Sequence, residues 1–233
     1  MTAIFKREFR SYFSTPIGYI VLAAFYFFLG LYFSLIYSYG DPGIAQIIVA
    51  MSTIAVFTIP VLTMRLMSED RRQKVDQALL TAPVKLTSIV LGKFLAALAV
   101  FALGFAPTVI FEIVIASYVS VNLFSYLYAL FGMLLLGGAL IAIGMFISSL
   151  TESAVISAIL TLVINILVLY MSNFASMVKV EWIANILEKA AFINAYQNFG
   201  ENIFSITDVV YFLSISAAFL FLCVRSLDKR RWA

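Results

Sequence analysis

The chain is 233 residues long, with 64% apolar residues, only 12% charged residues and a formal net charge of +3. A soluble domain is about half apolar and about a quarter charged, so this composition excludes a water-soluble globular protein and indicates a lipid-embedded one. The absence of histidine removes the usual neutral-pH acid–base group, and we expect neither a metal site nor a nucleic-acid partner. A single cysteine, Cys223, excludes an internal disulfide.

The first predicted element is an amphipathic helix at the N-terminus. Four aromatic side chains recur at the spacing of one helical face, and three basic side chains lie away from that face. These residues are Phe5, Phe9, Tyr12 and Phe13 on the face, and Lys6, Arg7 and Arg10 outside it. We interpret the helix as lying along the cytoplasmic leaflet with its basic groups toward phospholipid headgroups. An ordinary basic flank that happens to be helical is the alternative.

Six apolar stretches follow, and each is about as long as the 20 residues or so that a helix needs to cross the bilayer. They are residues 16–38, 44–66, 89–116, 123–149, 154–172 and 208–224. Neither an internal repeat nor a linker divides them, so we expect residues 1–233 to form a single domain. The predicted fold is all-α, a polytopic membrane protein with six transmembrane helices.

The distribution of Lys and Arg predicts the orientation, because these residues are enriched in cytoplasmic loops. Of the fifteen, three lie in the N-terminal arm, six in or beside the connection between spans two and three, and four in the C-terminal tail. Only Lys179 and Lys189 remain for the opposite side. We therefore expect a multi-pass protein of the bacterial inner membrane with both termini in the cytoplasm. The connection at residues 150–153 has no Lys or Arg, so parity alone places it.

Residues 68–83 form the longest and most charged connection on the predicted cytoplasmic side. Ser68 is suited to cap a short helix, and Glu69 and Asp70 then lie in its first turn, where the helix dipole favours acids. An apolar edge consists of Val75, Leu79 and Leu80, and Pro83 ends the helix. Such a helix is suited to dock in a groove of a soluble partner. A solvated loop that only satisfies the charge bias is the alternative.

Residues 173–207 form a long segment on the outer side, and it is too long for a structureless loop. Its apolar residues recur at helical spacing, and they are Trp182, Ile183, Ile186, Leu187, Ala190, Ala191, Phe192 and Ile193. We expect one or two amphipathic helices that lie on or dip into the outer leaflet, with Gly200 ending the second.

Polar residues and prolines inside the spans are the remaining candidates for function. Glu112 and Asn165 are interpreted as candidates for the translocation path. The alternatives are an interfacial or paired glutamate at Glu112 and an interhelical hydrogen bond at Asn165. Pro60 and Pro107 are expected to kink their helices, with the freed carbonyls bonded by neighbouring helices.

The sequence has no phosphate-binding loop of the form GxxxxGK[ST]. Its single Gly-Lys pair, Gly92-Lys93, is followed by Phe94 and opens a predicted span. The chain is therefore expected not to be an enzyme, and any ATP hydrolysis that drives it belongs to another polypeptide. No pair of acids, Ser/Lys couple or His cluster suggests intramembrane catalysis.

Three stretches resemble the ABC-2 family of transporter permeases, and most closely its gliding-motility-type branch. They are FKREFRSYFSTPIGY at 5–19, the segment 68–93 with ALLTAPV at 78–84 and IVLGK at 89–93, and DVVYFL at 208–213 with the tail at 225–232. The likeness extends along the whole chain in the same order. One departure is Lys74-Val75, where the family usually has Gly-Thr after the basic cluster.

The resemblance implies six spans, an N-terminal elbow helix, a cytoplasmic coupling helix and an outer-leaflet helical hairpin before span six. It also implies export driven by two cytoplasmic ATPase subunits, which bind ATP and Mg, whereas this chain holds no cofactor. Implied partners are a second copy or a related permease, membrane lipid and an extracytoplasmic subunit. The coupling residues it implies are Glu69, Asp70, Arg71, Arg72, Lys74, Val75, Asp76, Leu79 and Leu80. The elbow residues are Phe5, Lys6, Arg7, Phe9, Arg10 and Phe13.

Two other function classes are retained. One is a secondary transporter without an ATPase, although a single acid well inside the spans and the lack of histidine leave few groups for ion coupling. The other is a mechanotransmitting membrane subunit that acts on an extracytoplasmic protein. The leading prediction is export of a hydrophobic or amphipathic cargo.

Overall fold

The computed structural model describes residues 1–38, 44–72, 85–118, 122–175, 182, 191–201 and 205–231. All regular structure in these ranges is helical, as the composition predicts. The helices are α1 Thr2–Ser14, α2 Pro16–Ser38, α3 Ile44–Thr63, α4 Ser68–Arg72, α5 Leu86–Gly104, α6 Ala106–Ala116, α7 Leu123–Leu150, α8 Ala154–Leu169, α9 Met171–Ala175, α10 Phe192–Gly200 and α11 Ile206–Arg231.

Five helical stretches within the described residues are long and apolar enough to cross a membrane. They are Pro16–Leu35, Ile44–Arg72, Leu86–Ala116, Leu123–Leu150 and Ile206–Lys229. These stretches are consistent with a polytopic membrane protein, and they overlap five of the six predicted spans. The remaining candidate, α8, has 16 residues, or about 24 Å of helix, which is shorter than a hydrocarbon core of about 30 Å. The sixth span therefore stays a prediction.

Helix α7 lies at the centre of the bundle. It packs against α3, α5, α8, α10 and α11, and its residues from Leu136 to Met145 are all buried. A helix that is apolar all round is buried by other helices in this way. The surrounding helices turn apolar residues outward, and Ile110, Ile113 and Val155 are each more than 60% exposed. An apolar exterior of this kind fits a lipid environment.

The helix is interrupted beside Pro107, where a kink is predicted. Pro107 has no N–H for the carbonyl of Leu103, and the helix is interrupted at Phe105 between α5 and α6. The hydroxyl of Tyr26 on α2 donates to the Leu103 carbonyl at 3.2 Å. A neighbouring helix therefore satisfies the freed carbonyl, as predicted. Pro60, in contrast, lies inside the uninterrupted helix α3, and the kink predicted there stays a prediction.

Of the one or two outer helices predicted, the second is present as α10, which ends at Gly200 as predicted. Its Tyr196 is buried and donates a hydrogen bond to the Ile48 carbonyl of α3 at 3.0 Å. Asn198 donates to Asp208 at the start of α11 at 2.8 Å. The first predicted outer helix lies outside the described residues, apart from an exposed Trp182.

Close packing of α10 on α7 depends on Gly132. A Cβ atom at this position would lie 2.6 Å from Cγ and 2.7 Å from Cβ of Phe199. These atoms are at the root of the Phe199 side chain, so they cannot move without moving α10. At Gly138, farther along α7, the nearest atom would be 3.7 Å away.

Substitution of these two glycines tests the packing. We expect Gly132→Ala to lower the melting temperature of the purified protein in detergent, because overpacking of this kind costs about 1–3 kcal/mol. Gly138→Ala is the matched control and should not lower it, since alanine also has the higher helix propensity. Equal melting temperatures for the two variants would contradict the assigned position of α10.

Candidate coupling junction at the base of residues 68–83

The predicted second span does not remain α-helical to its C-terminal end. Helix α3 ends at Thr63, and residues 64–67 form a turn before α4 begins at Ser68. The N–H of Leu66 bonds to the carbonyl of Thr63 at 3.1 Å and not to that of Leu62, its partner in a regular α-helix. Backbone groups released inside a membrane protein need other partners. Three side chains from three different helices supply them.

Tyr12 of α1 supplies the first. Its hydroxyl donates to the carbonyl of Leu62 at 2.9 Å, in a buried position. Burial, and secondly the nearby negative charge of Glu8, raise the pKa of Tyr12. The hydroxyl therefore stays protonated and remains a donor at physiological pH. This bond attaches the N-terminal helix to the end of the second span.

Ser148, in the last turn of α7, supplies the second. Its Oγ accepts from the N–H groups of Met67 and Ser68 at 3.2 and 3.1 Å. It also donates to the carbonyl of Met64 at 3.1 Å. A hydroxyl has one donor and two acceptor lone pairs, so Ser148 is fully used. The Ser68 hydroxyl also donates to the Met64 carbonyl, and the helix-capping bond predicted for Ser68 is not among the bonds described for it.

Lys93 of α5 supplies the third and is the centre of the site. Its side chain is only 1% exposed. The ammonium group donates to the carbonyl of Leu66 at 2.6 Å and lies 2.7 Å from Asp70 Oδ2 and 3.3 Å from Glu8 Oε1. Each of its three N–H donors therefore has an acceptor. The acceptors belong to the unwound turn, to α4 and to α1.

A buried charge is costly unless it is paired and fully hydrogen-bonded. One ammonium group faces two carboxylates here, which would leave an excess negative charge. Arg7 supplies the second positive charge, because its Nε donates to Glu8 Oε1 at 3.1 Å. The cluster of Lys93, Glu8, Asp70 and Arg7 is therefore neutral. We call these four residues, with Tyr12 and Ser148, the coupling junction.

Arg71 extends the junction to the connection between α7 and α8. Its Nη1 donates to the carbonyl of Leu150 at 3.1 Å, and its Nε lies 2.8 Å from Glu152 Oε1. Arg65 and Glu69 form a further ion pair at 3.4 Å. The distribution of Lys and Arg does not assign a side to residues 150–153, and only the number of preceding spans does. The contacts of Arg71 now place these residues at the same end of the bundle as α4.

The predicted site residues are only partly described. Glu69, Asp70, Arg71 and Arg72 lie in α4, whereas Lys74, Val75, Asp76, Leu79 and Leu80 lie outside the described residues. In α1, the rings of Phe5 and Phe9 are 5.8 Å apart and those of Phe9 and Phe13 are 5.2 Å apart. The predicted aromatic face is therefore confirmed. Lys6 and Arg10 are exposed, as predicted, but Arg7 is bonded to Glu8.

The structure does not bring Glu112 and Asn165 together. Glu112 is 7% exposed on α6, which packs against α2, α3 and α5, whereas Asn165 lies on α8, which packs mainly against α3 and α7. The hydrogen bond predicted for Asn165 is wrong for the part of the chain that is described. Both of its amide atoms are buried there without a partner, as are the hydroxyls of Ser157 and Thr161. The role of Glu112 and Asn165 in a translocation path stays a prediction.

Sequence reasoning missed Lys93 and Glu8 as site residues. The charge count assigns Lys93 to the edge of a cytoplasmic connection, but the structure buries it two turns inside α5. One signal was available, since a charged residue within an apolar helix marks a functional site by default. No pattern of spacing points to its partners, because Glu8 belongs to α1, which precedes the first span, whereas Lys93 lies in the third.

Substitution of Lys93 tests the junction. Lys93→Met leaves two carboxylates without their cation, and breaking a buried pair in this way costs roughly 3–5 kcal/mol. We expect a clear fall in the melting temperature of the purified protein. The exposed Lys85→Met is the control for loss of a positive charge. Adding Glu8→Gln and Asp70→Asn to Lys93→Met should restore part of the loss, and equal melting of Lys93→Met and Lys85→Met would contradict the assignment.

Comparison with known proteins identifies the family. The model of the family described as ABC-2 type transporter matches residues 1–198, a range that includes every residue of the coupling junction. No curated protein matches the chain. The matched family supplies the membrane-spanning permease of an ABC transporter and not its ATPase. The chain belongs to the ABC-2 type transporter family, as its membrane permease subunit.

Proposed function

We propose that this chain is the permease of an ATP-driven exporter of hydrophobic or amphipathic cargo. It acts with two copies of a cytoplasmic ABC ATPase, which bind ATP and Mg, and it pairs with a second copy of itself or with a related permease. The family match supports the permease role. The resemblance of residues 5–19 and 68–93 to the gliding-motility-type branch supports the finer assignment.

The coupling junction is the observation that carries this proposal. The first turn of the segment 68–83 is bonded to α1 through Glu8 and Lys93. It is bonded to α7 through Ser148 and to residues 150–153 through Arg71. A force applied to this segment therefore reaches several helices at once. Rigid helices transmit such a displacement because packed cores are not continuously deformable.

The docking helix in this proposal is the part of the segment that carries Val75, Leu79 and Leu80. It binds a groove on the ATPase with its apolar edge, and nucleotide-driven closure of two ATPases brings two such helices together. The departure at Lys74-Val75 lies beside this edge. It would alter how tightly the helix fits its partner without removing the leucines.

We also propose six spans, including α8, with both termini in the cytoplasm of a bacterium. The bias of Lys and Arg supports this orientation. The contacts of Arg71 with Leu150 and Glu152 support it independently, because they place the connection between α7 and α8 beside α4. An even number of spans brings α1 and the end of α11 to that same side.

A mechanotransmitting role is the second candidate, and one observation favours it. Helix α7 contacts α4 at one end of the bundle and α10 at the other. Movement of α4 would thus reach the outer segment along a helix that is buried for most of its length. In this variant the chain acts on an extracytoplasmic partner and not on a cargo.

Co-purification tests the ATPase partnership. The tagged protein, expressed from its native locus, is isolated in mild detergent as the wild type, as Leu79→Asp and as Gln77→Asp. We expect the wild type and Gln77→Asp to retain an ABC ATPase, because residue 77 lies off the apolar edge at helical spacing. Leu79→Asp should lose it, since a carboxylate cannot replace a buried leucine without a large desolvation cost.

The two aspartate variants add the same charge, so a difference between them reports on the apolar edge. Retention of the ATPase by Leu79→Asp would disprove the docking helix while leaving the transporter in place. Absence of any ATPase from the wild-type preparation would disprove the exporter and favour an ATPase-independent role.

A further inference from the structure

A polar cavity lies between α1 and the cytoplasmic end of α3. Its volume is about 310 Å³, which is at the lower end of the roughly 300–1,000 Å³ range of small-molecule sites. Two cations, Arg7 and Arg65, and three carboxylates line it. The carboxylates are Glu8, Glu69 and Asp70. Side chains of both signs therefore face the same space.

An apolar groove of about 340 Å³ lies farther along α2 and α3. Val21, Ala24 and Phe28 line one side, and Ile54, Thr58 and Val61 line the other. Thr58 is the one polar residue in this lining, and its hydroxyl donates to the Ile54 carbonyl. Ile20 and Phe57 also line the groove and are more than half exposed. The groove therefore opens outward, toward the surroundings of the bundle.

The cavity and the groove are neighbours along the seam between α2 and α3. On α2, Ile17 lines the cavity, and Ile20 and Val21, one turn later, line the groove. On α3, Leu62 lines the cavity and its neighbour Val61 lines the groove. Residues three or four apart on a helix share a face. The groove then continues from Ile20 to Phe28, a distance of about 12 Å along the helix.

We propose that this seam binds a phospholipid of the adjacent leaflet, with a zwitterionic, amine-bearing headgroup in the cavity and an acyl chain in the groove. Charge complementarity supports this occupant. Two cations and three carboxylates line the cavity, and Lys93, outside the lining, neutralises part of the negative charge through its ion pairs with Glu8 and Asp70. Groups of both signs suit a phosphate joined to an ammonium. An acidic lipid would favour a net positive site. The inference rests on the membrane location of the family and not on the exporter proposal.

The site would place lipid against the coupling junction. Glu8 and Asp70 face the cavity and also bond to Lys93. A bound headgroup would therefore contact the residues that join α1 to α4. Through this contact, a bound lipid would directly change the stability of the junction. No other subunit of the transporter is needed for this effect.

Binding is measured by native mass spectrometry of delipidated protein titrated with phosphatidylethanolamine. Two matched pairs of variants are compared, namely Ala24→Trp with Ala23→Trp, and Arg65→Gln with Arg72→Gln. Ala24 lines the groove, whereas Ala23 is exposed beside it; Arg65 lines the cavity, whereas Arg72 is exposed outside it. We expect one bound lipid for the wild type and both controls. Ala24→Trp and Arg65→Gln should bind about tenfold more weakly, as expected for loss of one charge-assisted contact or its steric equivalent.

Further ligands distinguish the sources of the same chemistry. Phosphatidylglycerol lacks the amine, diacylglycerol lacks the headgroup, and glycerophosphoethanolamine lacks the acyl chains, so each should bind more weakly than phosphatidylethanolamine. Equal binding of phosphatidylglycerol, or of glycerophosphoethanolamine, would overturn the zwitterionic lipid assignment. Unchanged lipid binding by both Ala24→Trp and Arg65→Gln would overturn the proposed position of the lipid site. If Ala24→Trp binds lipid normally but changes the oligomeric state, the groove is instead an interface with a second copy of the chain. If Ala24→Trp elutes as an aggregate, the Arg65→Gln and Arg72→Gln pair decides.

Discussion

The backbone groups released where α3 unwinds at residues 64–67 are the constraint on which the end of the bundle formed by α1, α4 and the last turn of α7 depends. Each carbonyl or N–H that leaves the helix must find a partner in a place where water is scarce. Tyr12, Ser148 and Lys93 meet this requirement from α1, α7 and α5. The unwound turn therefore determines which helices meet there, and it joins elements that are far apart in the sequence.

Close packing allows Ser148 to reach the turn. One helical turn earlier, a Cβ atom at Gly144 would lie 3.0 Å from Cβ of Thr63 and 2.9 Å from Cγ2 of Thr161. A small residue is therefore required where α7 passes α3 and α8, as is usual for helices that pack in membranes. The same helix α7 supports α10 at the opposite end. One central helix thus links the coupling junction to α10, in agreement with either function proposed for the chain.

Helix α8 carries buried polar side chains that lack hydrogen-bond partners among the described residues. Ser157, Thr161 and Asn165 follow one another at intervals of four residues on its buried face, and their side-chain polar atoms have no hydrogen-bond partners among the described residues. Its opposite face exposes Val155, Ile159 and Val163. Buried polar groups without partners weaken the packing of the helix that carries them. The α8 interface is therefore held by shape and apolar contact more than by hydrogen bonds.

The sequence by itself determined the membrane class, the all-helical fold, the positions of five long apolar helices, the aromatic face of α1, the interruption of the helix near Pro107 and the end of α10 at Gly200. These features depend on composition and on periodicity within about twenty residues, which a single chain displays directly. Only the tertiary structure decided that Lys93 is buried, that Glu8 and Asp70 are its partners and that Ser148 bonds the unwound turn. It also showed that Asn165 lacks the hydrogen bond expected for it in the described residues. Contacts of this kind depend on how helices from distant parts of the chain pack, because a hydrogen bond requires its two atoms to approach within about 3 Å, and spacing along one helix cannot specify that approach.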